Sequence, residues 1–213
     1  MRFTKEKFSL VLNGAWNPAI LAPDWVAEHV LNKKGEDLPV VIDMPAPFTG
    51  GPWRLHIDGI IYVPHRNRLL VSPDLAITSD TLRSTAGFVK SVLSKLPHTP
   101  ISAMGHNFGY EEESPSDLQL SLVTAPKSIL IDRITSEQVD ISRQETVTQF
   151  RLADCSLNLK FYYEGGKFYA EFNFHYAEKP LAALRESLPD SFLNNFEYSK
   201  KMMKELFNAD VSS

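Results

Sequence analysis

A single cysteine, Cys155, stands among 213 residues, and that scarcity excludes an intramolecular disulfide and any multi-cysteine metal site. Cationic excess is missing as well. The formal net charge is −4, so the chain has no general surplus of Lys and Arg to set against phosphate. Neither non-specific nucleic-acid binding nor attachment to an anionic membrane is expected. Long apolar runs are also absent. Phe8 to Leu12 breaks at Asn13-Gly14, too short for the core of a signal peptide, and no later segment reaches the length that spans a bilayer. A cytoplasmic, reducing location is the expectation.

Recognisable chemistry is scarce in the same way. No phosphate-cradling glycine loop, Gly-x-Ser-x-Gly elbow, helical His-x-x-x-His pair or calcium-loop spacing occurs. The histidines, at 29, 56, 65, 98, 106 and 175, stand singly. No cofactor, no metal and no catalytic residue is therefore assigned, and the reading leans away from an enzyme. Cys155 falls on an inward strand face, where a thiol is an inert small hydrophobe and not an activated nucleophile.

What is present is most legible from Phe161 to Tyr176, eight aromatic residues around Gly165-Gly166. Two glycines between alternating strands form a tight hairpin turn, because glycine accepts positive φ at both central positions. That turn sets the register. Glu164 faces Lys167, Tyr163 faces Phe168, Phe161 faces Ala170, Leu159 faces Phe172, Leu157 faces Phe174 and Cys155 faces Tyr176. All but the first pair are apolar and make the core face. The other face pairs Tyr162 with Tyr169, Lys160 with Glu171, Asn158 with Asn173 and Ser156 with His175. A slip of one residue would turn the apolar set into water.

Elsewhere, alternation predicts strands at Phe8–Asn13, Pro39–Met44 and Ile101–Tyr110. Trp53–Val63 and Arg68–Ser72 read as a second hairpin, turning at Pro64 to Asn67. His65, Arg66 and Arg68 gather there, with Arg54 near in sequence. Asp24 to Asn32 is a short helix. Ser79-Asp80 starts an amphipathic helix with Leu82, Ala86, Val89, Leu93 and Leu96 on one stripe, stopped by Pro97. Beyond the acidic run Glu111 to Glu113, the segments Leu118–Thr124, Ile129–Ile134 and Val147–Ala153 suggest a meander. Pro180 and Asp190 begin two closing helices, the longer carrying Phe192, Phe196, Ser199, Met203 and Leu206 along the sheet.

Strands without regular βαβ alternation imply an α+β fold, with antiparallel sheet built from hairpins and packed by amphipathic helices, including a long C-terminal one. The 213 residues form one globular unit, with a hint of two similarly built halves, about 1–113 and 114–213. For function, the leading expectation is association without catalysis, with a protein partner or as a homo-oligomer, through the outer hairpin residues Tyr162, Tyr169 and His175. The alternative is a small-molecule pocket or enzyme site near His106 and Asn107, with His56 and Asp58 as partners. Gly105 and Gly109 around His106 mark a bulge or a close backbone approach.

Overall fold

The computed structural model describes residues 1–33, 38–44, 52–123, 143–177 and 181–211. Strands β1 (Arg2–Phe3), β2 (Ser9–Gly14), β3 (Val40–Asp43), β4 (Arg54–Ile57), β5 (Ile60–His65), β6 (Arg68–Pro73), β7 (Ile101–Glu112), β8 (Gln144–Arg151), β9 (Ser156–Glu164) and β10 (Lys167–Ala177) make one antiparallel sheet. Its order is β3-β4-β5-β6-β2-β7-β10-β9-β8, with β1 beside β7. Among the described residues four helices accompany it: α1 (Pro23–Trp25, continued by a π turn at Val26–Val30), α2 (Ser79–Lys95), α3 (Asp117–Ser121) and α4 (Leu181–Phe207). The α+β expectation therefore holds, and the sheet runs through both halves of the chain.

Alternation decides which side chains meet the helices. Leu55, Tyr62, Val71, Leu10, His106, Phe174 and Leu157 form one row across the sheet, all on the face that α2 and α4 cover. An aromatic cluster fills the space between β7 and α4, with Phe8, Phe108, Phe174, Phe192 and Phe196 in ring contact. The opposite face carries a polar row. Asn158 donates to Asn173, Asn173 to Asn107 and Asn107 to Ser9, across four adjacent strands.

The Gly165-Gly166 hairpin has the expected register from Glu164–Lys167 to Ser156–His175. Both glycines have positive φ, 58° and 83°, as a type I′ turn requires. Tyr163 departs from the expectation of burial: it is 37% exposed. The ring of Phe207, at the end of α4, covers Phe161 and Phe168 instead. Gly109 is a close approach, where the turn Lys5–Lys7 crosses β7 and Thr4 N–H donates to its carbonyl at 2.9 Å.

Four element expectations need correction. Trp53–Val63 is two strands, because Asp58 and Gly59 both take positive φ and turn the chain. Over its described part, Leu118–Val123, the expected strand Leu118–Thr124 is not one; α3 occupies its start, where Ser116 and Gln119 form a reciprocal capping box. Asp190 does not start a second helix, since α4 runs from Leu181 through Pro189, and the expected start at Pro180 lies outside the described residues. That proline removes one donor, while Leu188 and Phe192 on either side stay fully buried and hold the helix to the sheet. Leu206 is exposed; Phe207, four residues after Met203, takes the last inward position. The expected strand Ile129–Ile134 lies outside the described residues.

Helix α2 is capped one residue earlier than Ser79. Thr78 accepts from Thr81 N–H at 3.2 Å and Thr81 Oγ1 accepts from Thr78 N–H at 3.0 Å. Thr78→Ala is expected to lower stability by about 1 kcal/mol, measured as a shift in the urea midpoint at constant slope.

Candidate functional site

Strand β4 alternates Leu55 and Ile57 into the core with Arg54 and His56 on the opposite face. Register places Val41 beside His56 and Asp43 beside Arg54. Asp74 comes in from the end of β6, held by its own N–H on the Gly59 carbonyl at 2.8 Å. The result is an imidazole clamped on both sides: Nδ1 lies 3.0 Å from Asp74 Oδ2 and Nε2 lies 2.9 Å from Asp43 Oδ2. The hydrogen bond to Asp74 raises the pKa of His56, with the bond to Asp43 adding to it and partial burial opposing. Protonated, the ring donates to both carboxylates and ties the sheet-edge strand β3 to β6. Lys5 adds a donor to the Asp74 carbonyl and an ion pair with its carboxylate at 3.7 Å.

Beside this clamp is a groove of about 680 Å³ on the helix-free face. Ile61, Val63 and Leu70 lie in it, along with Ser72, Arg54 and Arg68. The arrangement is poorly suited to base catalysis by His56, because both ring nitrogens are already bound to carboxylates. Asp43 and Asp74 grip opposite edges of the ring and do not converge on a point. Among the described residues no group of three or more His, Cys, Asp or Glu is placed to hold a metal ion.

A second cavity, about 610 Å³, lies on the other face of the same sheet end. Leu21, Pro23, Ile42, Trp53, Leu55 and Pro64 make it apolar, and His65 and Arg66 stand at it as well. It borders β3, whose residues are all exposed. Val41 is 57% exposed, Ile42 45% and Trp53 57%, and among the described residues no strand pairs with the outer edge of β3. An open strand edge with apolar side chains is a template for another strand.

The residues singled out from the sequence do not gather in one place. His106 is fully buried under α4, between Tyr176 and Phe192. Its Nδ1 is 2.9 Å from Asn195 Nδ2, while Nε2 has no partner among the described residues. His56 is four strands away and on the opposite face. Asp58 sits at the β4–β5 turn, bonded to Lys33 at 2.8 Å. Asn107 belongs to the outer polar row. Neither cavity is lined by His106, Asn107 or Asp58.

The outer hairpin residues are more covered than alternation alone implies. Tyr162 is only 3% exposed. It stacks on Tyr169 at 4.7 Å, donates to Glu171 at 2.9 Å and lies under the guanidinium of Arg143. Tyr169 and His175 are half-buried. Around them, Lys7, Lys160, Glu145 and Glu171 form a web of ion pairs. The acidic run is engaged in the same manner, with Glu111 and Glu113 both paired to Arg2 and Lys167. Sequence reasoning missed the Asp43–His56–Asp74 clamp, although the basic residues Arg54 and Arg68 stood out. Its signal was weak because each carboxylate comes from a different strand end.

A scan against protein-family models finds no match for this chain, and a search of curated proteins finds none either. No described helix is long and apolar enough to cross a membrane.

Proposed function

We propose that this chain is a non-enzymatic cytoplasmic protein that acts by association, and that its association surface is the edge of β3. The observation that carries this reading is the exposed sequence Val40-Val41-Ile42 on a strand whose outer edge pairs with no other strand among the described residues. A second copy is the occupant that the edge fits. Antiparallel pairing about a two-fold axis normal to the sheet, centred on Val41, puts Val41 beside its own counterpart. Val40 then meets Ile42 of the other copy, on the same face as the exposed Trp53. From Val40 to Ile42 each side-chain pair is apolar against apolar, while Asp43 stays on His56 of its own chain, so this stretch of the edge is complementary to itself.

Size-exclusion chromatography with light scattering, over a dilution series, tests the reading. The expected species has twice the monomer mass at high concentration. Val41→Lys sets two ammonium groups opposite each other and is expected to raise the dissociation constant roughly tenfold or more. The side chain is solvent-facing in the monomer, so the thermal midpoint should hardly move. A wild type that is monomeric throughout, or a Val41→Lys variant that dimerises equally well, rejects β3 as the association surface.

A further inference from the structure

The groove on the helix-free face has a charge pattern that its neighbours do not satisfy. Arg54 and Arg68 both line it, and among the described residues neither guanidinium has an ion pair or hydrogen bond. They stand on β4 and β6, two strands apart and one side-chain repeat along. On sheet spacings their Cα atoms are roughly 12 Å apart, within the combined reach of two arginines. Between them lie Val63 and Leu70, with Ile61 next along β5, and this floor is apolar. The Ser72 hydroxyl lies further along the same strand as Leu70.

The acidic groups at the groove are Glu6, Asp43 and Asp74. Asp43 and Asp74 are both turned onto His56, and Asp74 also onto Lys5. Their charge is therefore opposed locally, and Glu6 is the one carboxylate there without such a partner among the described residues. Two unpaired forked donors above an apolar floor match an anion carrying an apolar body, since guanidinium binds carboxylate and phosphate oxygens through paired N–H groups. The cavity volume lies in the range of small-molecule sites.

We propose that this groove is a binding site for a small amphipathic organic anion, a carboxylate or phosphate monoester. Arg54 and Arg68 hold the charged head, and Ile61, Val63 and Leu70 receive the apolar part. His56 is a positioning residue that keeps Asp43 and Asp74 off the head group.

Titration calorimetry of the full chain with octanoate and with phenyl phosphate tests this. At least one is expected to bind, and whichever binds more tightly identifies the head group. Inorganic phosphate, which has no apolar body, and octylamine, which has the opposite charge, are each expected to bind at least about tenfold more weakly. Arg54→Gln and Arg68→Gln should each weaken the organic anion about tenfold. Both side chains are exposed, so thermal midpoints serve as the check that the variants fold. Absence of binding by either organic anion at millimolar concentration overturns the proposal. Equal binding of octylamine overturns it too, as does binding that the Arg54→Gln, Arg68→Gln double variant retains in full. None of these readouts depends on the edge of β3, so the site and the association surface stand or fall separately.

Discussion

Phe108→Ala is expected to cost about 3–5 kcal/mol of folding stability, the range for removing a fully enclosed phenyl ring. Phe108 has no exposed surface and sits where sheet and helix meet. Its ring centroid is 5.6 Å from Phe8, 5.9 Å from Phe174, 5.3 Å from Phe192 and 5.8 Å from Phe196. Two of these partners come from the sheet side and two from α4, so the void left by alanine borders elements that cannot all close on it. Removing the ring strips contacts from the sheet and from the helix together. Urea unfolding measures the loss as a lower midpoint. Phe108→Leu keeps most of the volume and should cost less than about 1.5 kcal/mol. Similar small effects for both variants would mean that the aromatic cluster is not the packed centre of the fold.

The second large effect is in acid. His106 is fully buried, with Nδ1 accepting from Asn195 and Nε2 unpartnered among the described residues. That acceptor role assigns the proton of the neutral ring to Nε2, a tautomer inferred from the hydrogen-bond network. Burial pushes the pKa down to about 3, from an ordinary value near 6.5. In the unfolded chain His106 takes up a proton as pH falls through the ordinary range, while the folded chain resists it. Stability is therefore complete above about pH 6.5 and declines progressively towards pH 3. Between pH 7 and pH 5 this one group removes about 2 kcal/mol. His106→Leu abolishes the effect, and its stability should fall less than wild type over that interval by this amount. Equal pH slopes in the two proteins would place the imidazole in contact with water.

His56 works with the opposite sign. Its pKa is raised by Asp74 and Asp43, so its contribution is present at acid pH and is lost as pH rises through the folded value. The two histidines separate because one is enclosed by aromatic rings and the other is held between carboxylates.

Local patterns were readable wherever the chemistry is local. The glycine pair at 165–166 specifies its own turn, and with it the register of β9 and β10. Leu82, Ala86, Val89 and Leu93 mark the buried stripe of α2 at helical spacing. Asp58-Gly59 was equally readable as a turn, yet the apolar residues on either side make one continuous strand look plausible. Pro189 misleads in the other direction. A proline is a stop signal in a free helix, and packing of Leu188 and Phe192 overrides it.

The candidate site was legible only in fragments. Arg54, His56 and Arg68 are visible as polar residues on alternating strands, but their common groove depends on β4, β5 and β6 lying side by side. His106 and His56 look like possible partners until the strand order puts β5, β6 and β2 between them. The covering of Tyr162 is decided in the same way, since Arg143 and Glu171 reach its ring from different parts of the sheet.

The sequence by itself determined the class of the fold, the tight hairpin, the helical stripes and the absence of familiar catalytic spacings, because each depends on residues a few positions apart. Tertiary structure alone decided which strands are neighbours and which edge has no partner among the described residues. It also decided which histidine is silent and which is clamped. Those outcomes depend on the order of ten strands, and side-chain periodicity carries the face of each strand but not the identity of its neighbour.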